Sequence, residues 1–301
     1  MRFASKTAAN AVRVLNKCSA ELRPEGPWRW SCVVQNGARL AVAASLEDGF
    51  LQLAFRPETT RATAWGLERA LKANNTLAGG VKLALDSGSR GLHLRAEIAV
   101  LEEQQLMDRF ERALDGFHHG IGLLKSSDCE ARAGHAAAQY AAGFSANLGE
   151  LLRESPWGCA ERGPNEFSVE LDAKSAPPAR IRMTESGLDM SVELVRANQA
   201  AEPCRQALAV FLLTVSSALR MARAWTATAD GQESFGFQVS LPAAPDPEEV
   251  NHGLAALSVA WRMCAREASV LLHEAAARCY LAARDLSTTN TTNKPQSEEE
   301  N

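Results

Sequence analysis

The sequence predicts an α+β protein made of two tandem modules, each an antiparallel sheet with helices on one face. Three observations carry this. Short alternating apolar runs are punctuated by Asn36-Gly37, Asp48-Gly49 and Asp230-Gly231, pairs that tolerate positive φ and so mark tight hairpins. Amphipathic stripes recur with the same spacing, at Leu106, Phe110, Leu114, Phe117 and Ile121 and again at Tyr140, Phe144, Leu148 and Leu151, which is the period of a helix. Finally, the order α-β-β-β-α-β-β-α can be read twice along the chain.

The first module spans residues 1–125. A helix from about Ser5 to Glu21 ends at Arg23-Pro24-Glu25-Gly26-Pro27, where proline and glycine break it. Strands follow at Trp28–Val34, Arg39–Ser45 and Phe50–Arg56. A second helix carries Leu67, Ala70, Leu71 and Asn74 at helical spacing and stops at Asn74-Asn75 and Gly79-Gly80. Val81–Leu85 and Leu92–Ile98 alternate as a hairpin, and an amphipathic helix runs onward from Glu102.

Residues 126–134 are polar and small, as expected of a linker. The second module, residues 135–285, opens with a helix from His135 to about Glu154. Strands are expected at Glu166–Leu171, Ala179–Thr184 and Leu188–Arg196. Pro203 begins a strongly apolar helix through Ala222, a favourable place because the first turn needs no amide donor. A hairpin, Ala224–Ala229 with Ser234–Leu241, and a long helix from Asp246 to Arg284 complete it. Leu92, Leu94, Ala96 and Ile98 correspond in place to Phe235, Phe237, Val239 and Leu241. The tail, residues 286–301, has no large apolar side chain after Leu286 and is expected to be disordered.

The helix from Pro203 is too apolar to leave one face in water. The matching helix of the first module is rich in small residues, Ala62, Ala64, Gly66, Ala70 and Ala73, which permit close approach. Burying ~600 Å² of apolar surface between them would contribute on the order of 15 kcal/mol before entropy is deducted. The modules are therefore expected to clasp each other as an intramolecular pseudo-dimer, with the chain a monomer.

Composition excludes several classes of function. At 46% apolar and 23% charged residues, with a net charge of -4, the chain has neither a basic footprint for nucleic acid nor a polybasic membrane signal. The apolar run Ala207–Leu219 is shorter than the ~18 residues of a membrane span. Seven cysteines at irregular spacing include no Cys-x-x-Cys pair, which argues against zinc and dithiol redox chemistry and for a reducing cytoplasm.

No catalytic, metal or cofactor motif stands out. His118-His119 point about 100° apart on a helix and cannot ligate one metal from one turn. His273-Glu274 lacks the second histidine of a zinc-protease helix, Ala277 standing in its place. His93, between Leu92 and Leu94, is expected on the wet face of its hairpin. Glu102-Glu103 and Glu248-Glu249 start helices, where carboxylates complement the macrodipole. Gly79-Gly80 follows a helix and precedes a strand, the wrong order for a phosphate loop. Cys32 and Cys159 read as core packing. In Trp28-Arg29-Trp30 both indoles would share one strand face, as a partner-binding patch or as cover for the sheet. Trp225 and Trp261 would give the second module matching anchors.

The segment from Trp65 to Leu124 resembles the Tir chaperone family, the class I chaperones of type III secretion, and the related YbjN-like family. The resemblance rests on Leu67-Glu68-Arg69-Ala70-Leu71-Lys72-Ala73-Asn74, Gly79-Gly80, Leu83-Ala84-Leu85-Asp86, Gly91-Leu92-His93-Leu94 and Ile98 before a long helix. It implies the α-β-β-β-α-β-β-α fold and a non-enzymatic role, holding an extended segment of a partner protein. Apolar anchors would enter pockets and an exposed edge strand would pair with the segment. Trp28, Trp30, Val34, Val42 and Phe55 are the expected contact residues. The alternatives are a YbjN-like regulatory or scaffold protein binding a folded partner, and an enzyme with scattered catalytic residues.

Overall fold

The computed structural model describes all residues except 1, 37, 58–63, 78–79, 87–90, 101, 126–144, 164, 172–174, 185–186, 199, 230–231, 243–244, 285 and 287–301. The expected linker, the tail beyond Leu286, and Tyr140 and Phe144 thus lie outside the described residues.

The first half runs α1 (Arg2–Cys18), β1 (Ser19–Gly26), β2 (Arg29–Asn36), β3 (Ala38–Glu47), β4 (Phe50–Phe55), α2 (Ala64–Asn74), β5 (Val81–Leu85), β6 (Leu92–Ala99) and α3 (Glu103–Lys125). The second runs α4 (Ser145–Glu154), β7 (Cys159–Gly163), β8 (Glu166–Val169), β9 (Ala179–Thr184), β10 (Gly187–Asn198), α5 (Glu202–Ser216), β11 (Arg223–Ala229), β12 (Gln232–Leu241), α6 (Pro247–Val270) and α7 (Glu274–Ala282). The fold is α+β, with two six-stranded antiparallel sheets. Their strand orders, β1-β2-β3-β4-β6-β5 and β7-β8-β9-β10-β12-β11, agree place for place.

Each half therefore has four strands before its middle helix, where the sequence pattern gives three. The added strands, β1 and β7, are the outermost of their sheets. β1 is largely exposed and contains Glu21, Arg23, Pro24 and Glu25, and β7 carries Glu161 and Arg162. Charges, proline and register shifts blunt such an edge against aggregation, and the same features erase the alternation that would reveal the strand. The helix expected to reach Glu21 accordingly ends at Cys18.

The β3–β4 hairpin closes through Asp48 and Gly49, both at positive φ, the geometry anticipated for that dipeptide. The long final helix is broken: α6 ends at Val270, and α7 turns back onto α5. Neither proline nor glycine lies at the break. The reversal places Ala277 and Leu281 in the core and stacks Tyr280 edge-on against Phe211. The apolar helix α5 stops at Ser216, short of Ala222, with Pro203 in its first turn.

Residues Val34, Val42, Leu51, Leu53, Leu83 and Leu94 close the first core beneath α1, α2 and α3. Ile181, Met190, Val192, Phe235, Phe237 and Val239 close the second beneath α6. Each such side chain stabilises the fold by roughly 1.5–3 kcal/mol. The halves meet through α2, α5, β5 and β11. α5 packs on α2, on β5 and on its own α7. It is buried on nearly every face, including Ala207, Leu208, Ala209, Val210, Leu212 and Leu213, the covering surface its composition demands.

Candidate binding sites

Trp28 lies outside β2, in the two-residue loop between β1 and β2, at φ 58° and 51% exposed. Trp30 is half-buried against the core. The two indoles therefore do not stand on one strand face, because the chain turns between them. Val34 and Val42 are closed inside the core, and Phe55 is half-buried at the far end of β4. Of the five residues, Trp28 alone offers a large open apolar surface. Trp225 lies across Gly236, and Trp261 is half-buried on α6, so neither repeats Trp28.

His93 is buried rather than wet. Burial, aided by the Arg95 guanidinium, lowers its pKa to about 4. Glu103 ties α3 to Lys17 and Arg13 of α1, and those hydrogen bonds hold its carboxyl below the usual range. Burial raises the Cys18, Cys32, Cys159 and Cys204 thiols and pushes Cys264 up to about 12, the opposite of nucleophile activation. Among the described residues no three His, Cys, Asp or Glu side chains converge to hold a metal. Among the described residues no helix is long and apolar enough to cross a membrane.

The polar groups that matter structurally sit at the junction. Lys82 of β5 is fully buried. Its ammonium donates to Glu97 Oε2 of β6 at 2.8 Å and to the carbonyls of Leu219 and Ala222, just past α5. Glu97 also accepts the Met221 amide at 2.8 Å. Arg223 of β11 stands at the matching place, since Lys82 opposes Arg95 as Arg223 opposes Gln238. It donates to the carbonyl of Leu77, just past α2, and to Ser240 Oγ at 2.8 Å, and Ser240 in turn donates to Asp189. Each module thus sends one buried cation to carbonyls that follow the other module's helix, where unsatisfied acceptors remain. Burial drives the Lys82 and Arg223 pKa values down, with Glu97 and Asp189 opposing it.

The helix ends are pinned in parallel fashion. Asn74, the last residue of α2, accepts the Leu83 amide at 2.7 Å, and Ser216, the last of α5, accepts the Ala224 amide at 3.0 Å. Asn75 then reaches across the junction, its side chain taking both the amide and the carbonyl of Thr226 on the outer edge of β11. It acts as a surrogate strand residue and satisfies an edge otherwise open.

Between the modules lies a cleft of about 270 Å³. Its apolar wall includes Phe50, Ile98, Met221, Val239 and Leu241. Arg109, Arg112, Arg223, Glu97, Asp189 and Glu249 supply its charge. Arg109 of α3 grips Glu249 of α6 with both guanidinium nitrogens, a bidentate pair that joins the modules at a second point. Glu249 also accepts the Asp246 amide, completing the capping box of α6. Nothing in the strand pattern around Lys82 marks a buried cation. The usable signal was that Lys82 and Arg223 both stand at the start of the late hairpin of their half.

No known protein family, curated protein or solved structure matches the chain.

Proposed function

We propose that this chain is a non-enzymatic binding protein that holds a segment of a partner protein, as the resemblance to the Tir chaperone family implies, with Trp28 as its anchor. Trp28 carries the reading. A two-residue hairpin loop asks for glycine or asparagine at positive φ. Tryptophan there costs roughly 1–2 kcal/mol in backbone strain. Half its surface is open, so a large indole is held at a strained position with much of its apolar area in water. An exposed indole is the side chain best suited to anchor a partner.

The neighbouring edge of β1 limits how the partner binds. Its uninterrupted register runs only from Glu21 to Pro24, and Pro24 has no amide to donate. Main-chain pairing along this edge is short, and recognition falls to the indole and to flanking Glu21, Arg23 and Glu25. A partner segment with an apolar side chain beside mixed charges fits that surface.

Replacement of Trp28 by glycine tests this. The Trp28→Gly chain should remain folded with a cooperative denaturant transition, because relieved strain of about 1–2 kcal/mol offsets much of the lost half-burial. A partner recovered with the unaltered chain from native cells should be lost. Recovery of the same partner in equal amount by Trp28→Gly would overturn the proposal.

A further inference from the structure

We propose that the cleft between the modules is a binding site for a small amphiphilic carboxylate, its charged group on Arg112 and its apolar tail along Ile98, Val239 and Leu241. The charges around the cleft decide the polarity. Lys82, Arg109, Arg112 and Arg223 face three carboxylates, Glu97, Asp189 and Glu249. Lys82 is matched by Glu97, Arg109 by Glu249, and Arg223 by Asp189 through Ser240. Glu249 is fully engaged, with Arg109 on both oxygens and the Asp246 amide on one. Arg112, one turn along α3 from Arg109, is exposed at the rim and makes no hydrogen bond or ion pair among the described residues. One positive charge is left over.

Arg223 also lines the cleft, but it is 4% exposed and both its terminal nitrogens are engaged, which leaves Arg112 as the guanidinium open to a ligand. An oxyanion is the natural complement of a guanidinium. The remaining wall is apolar, so a bare inorganic anion would leave most of it in contact with water. The volume is near the ~300 Å³ lower end of small-ligand pockets, which limits the tail to a short chain. Both modules contribute wall residues, so the ligand would bridge them.

Calorimetric titration and thermal unfolding of the full chain with octanoate test the site, with acetate and octan-1-ol as probes of charge and tail alone. Octanoate should bind at one site per chain and raise the unfolding temperature. Acetate and octanol should each bind at least tenfold more weakly, roughly the worth of one charged hydrogen bond or a few buried methylenes. Arg112→Glu should weaken octanoate at least tenfold and leave the unfolding temperature of the free chain unchanged. Ala99→Phe, which fills the cleft from the end of β6, should do the same to binding. Absence of saturable binding, equal affinity for octanol, or undiminished binding by Arg112→Glu would each overturn the proposal.

Discussion

The two modules share a strand order but not a chemistry. In the first, the buried cation is Lys82 and its acid, Glu97, sits on the neighbouring strand β6. In the second, the cation is Arg223, the place of Glu97 is taken by Ser240, and the acid moves one strand further, to Asp189 on β10. The position of the charge is kept while its partners are rearranged. A second exchange lies two residues along the same strands. Ala84 opposes His93 in the first module, and Trp225 opposes Gly236 in the second. The large side chain moves from β6 to β11. What the fold requires is a cation over each helix end and a filled layer beside it. Which strand supplies them is free to vary.

The sharpest way to break this comparison is to remove each cation in turn. Lys82→Met strands Glu97 in the interior beside unmet carbonyls and should cost about 3–5 kcal/mol. Arg223→Met leaves neutral Ser240 and the half-exposed Asp189, and should cost about 1–3 kcal/mol. Urea midpoints at constant slope measure both. Equal losses would show that the two clasps are energetically alike after all.

The volume exchange predicts the next effect. A Cβ on Gly236 would collide with the Val192 carbonyl oxygen and stand 2.9 Å from Trp225 Nε1. Gly236→Ala should therefore cost about 1–3 kcal/mol, toward the upper end because the first obstacle is backbone. Adding Trp225→Ala should recover only part of it. Full recovery in the double variant would show that the indole, rather than the strand, dictates the glycine.

The smallest effect concerns acid. His93 titrates near 6.5 when unfolded and about 4 when folded. The unfolded chain binds the proton first, so this group costs stability as pH falls from the upper value to the lower. Between pH 7.5 and pH 5 the loss is about 2 kcal/mol. Gly236 gives the second module no counterpart. His93→Gln should flatten this part of the stability profile, and an unchanged profile would mean that burial at this site is relaxed in solution.

Much of the architecture was legible in order and spacing. The Asp48-Gly49 turn, the helix beginning near Pro203, both late hairpins and the demand for a partner to α5 all follow from local rules and from the excess of apolar side chains. The outer strands were not legible, because an edge strand has only one neighbour and need not alternate. The break between α6 and α7 escaped because its cause is the surface of α5, far away in sequence. Site residues fared unevenly. Trp28 is exposed, whereas Val34 and Val42 lie in the core, since alternation identifies two faces without saying which is covered.

The amino-acid sequence by itself determined the α+β class and most of the inner strands and helices, because turn preferences and hydrophobic period act over a few residues. Only the tertiary structure decided that Lys82 and Arg223 would be buried, that Glu249 would face Arg109, and that a cleft would open between the halves. Those outcomes depend on which surfaces meet at long range, and a charge in a strand reads as solvated until another element covers it.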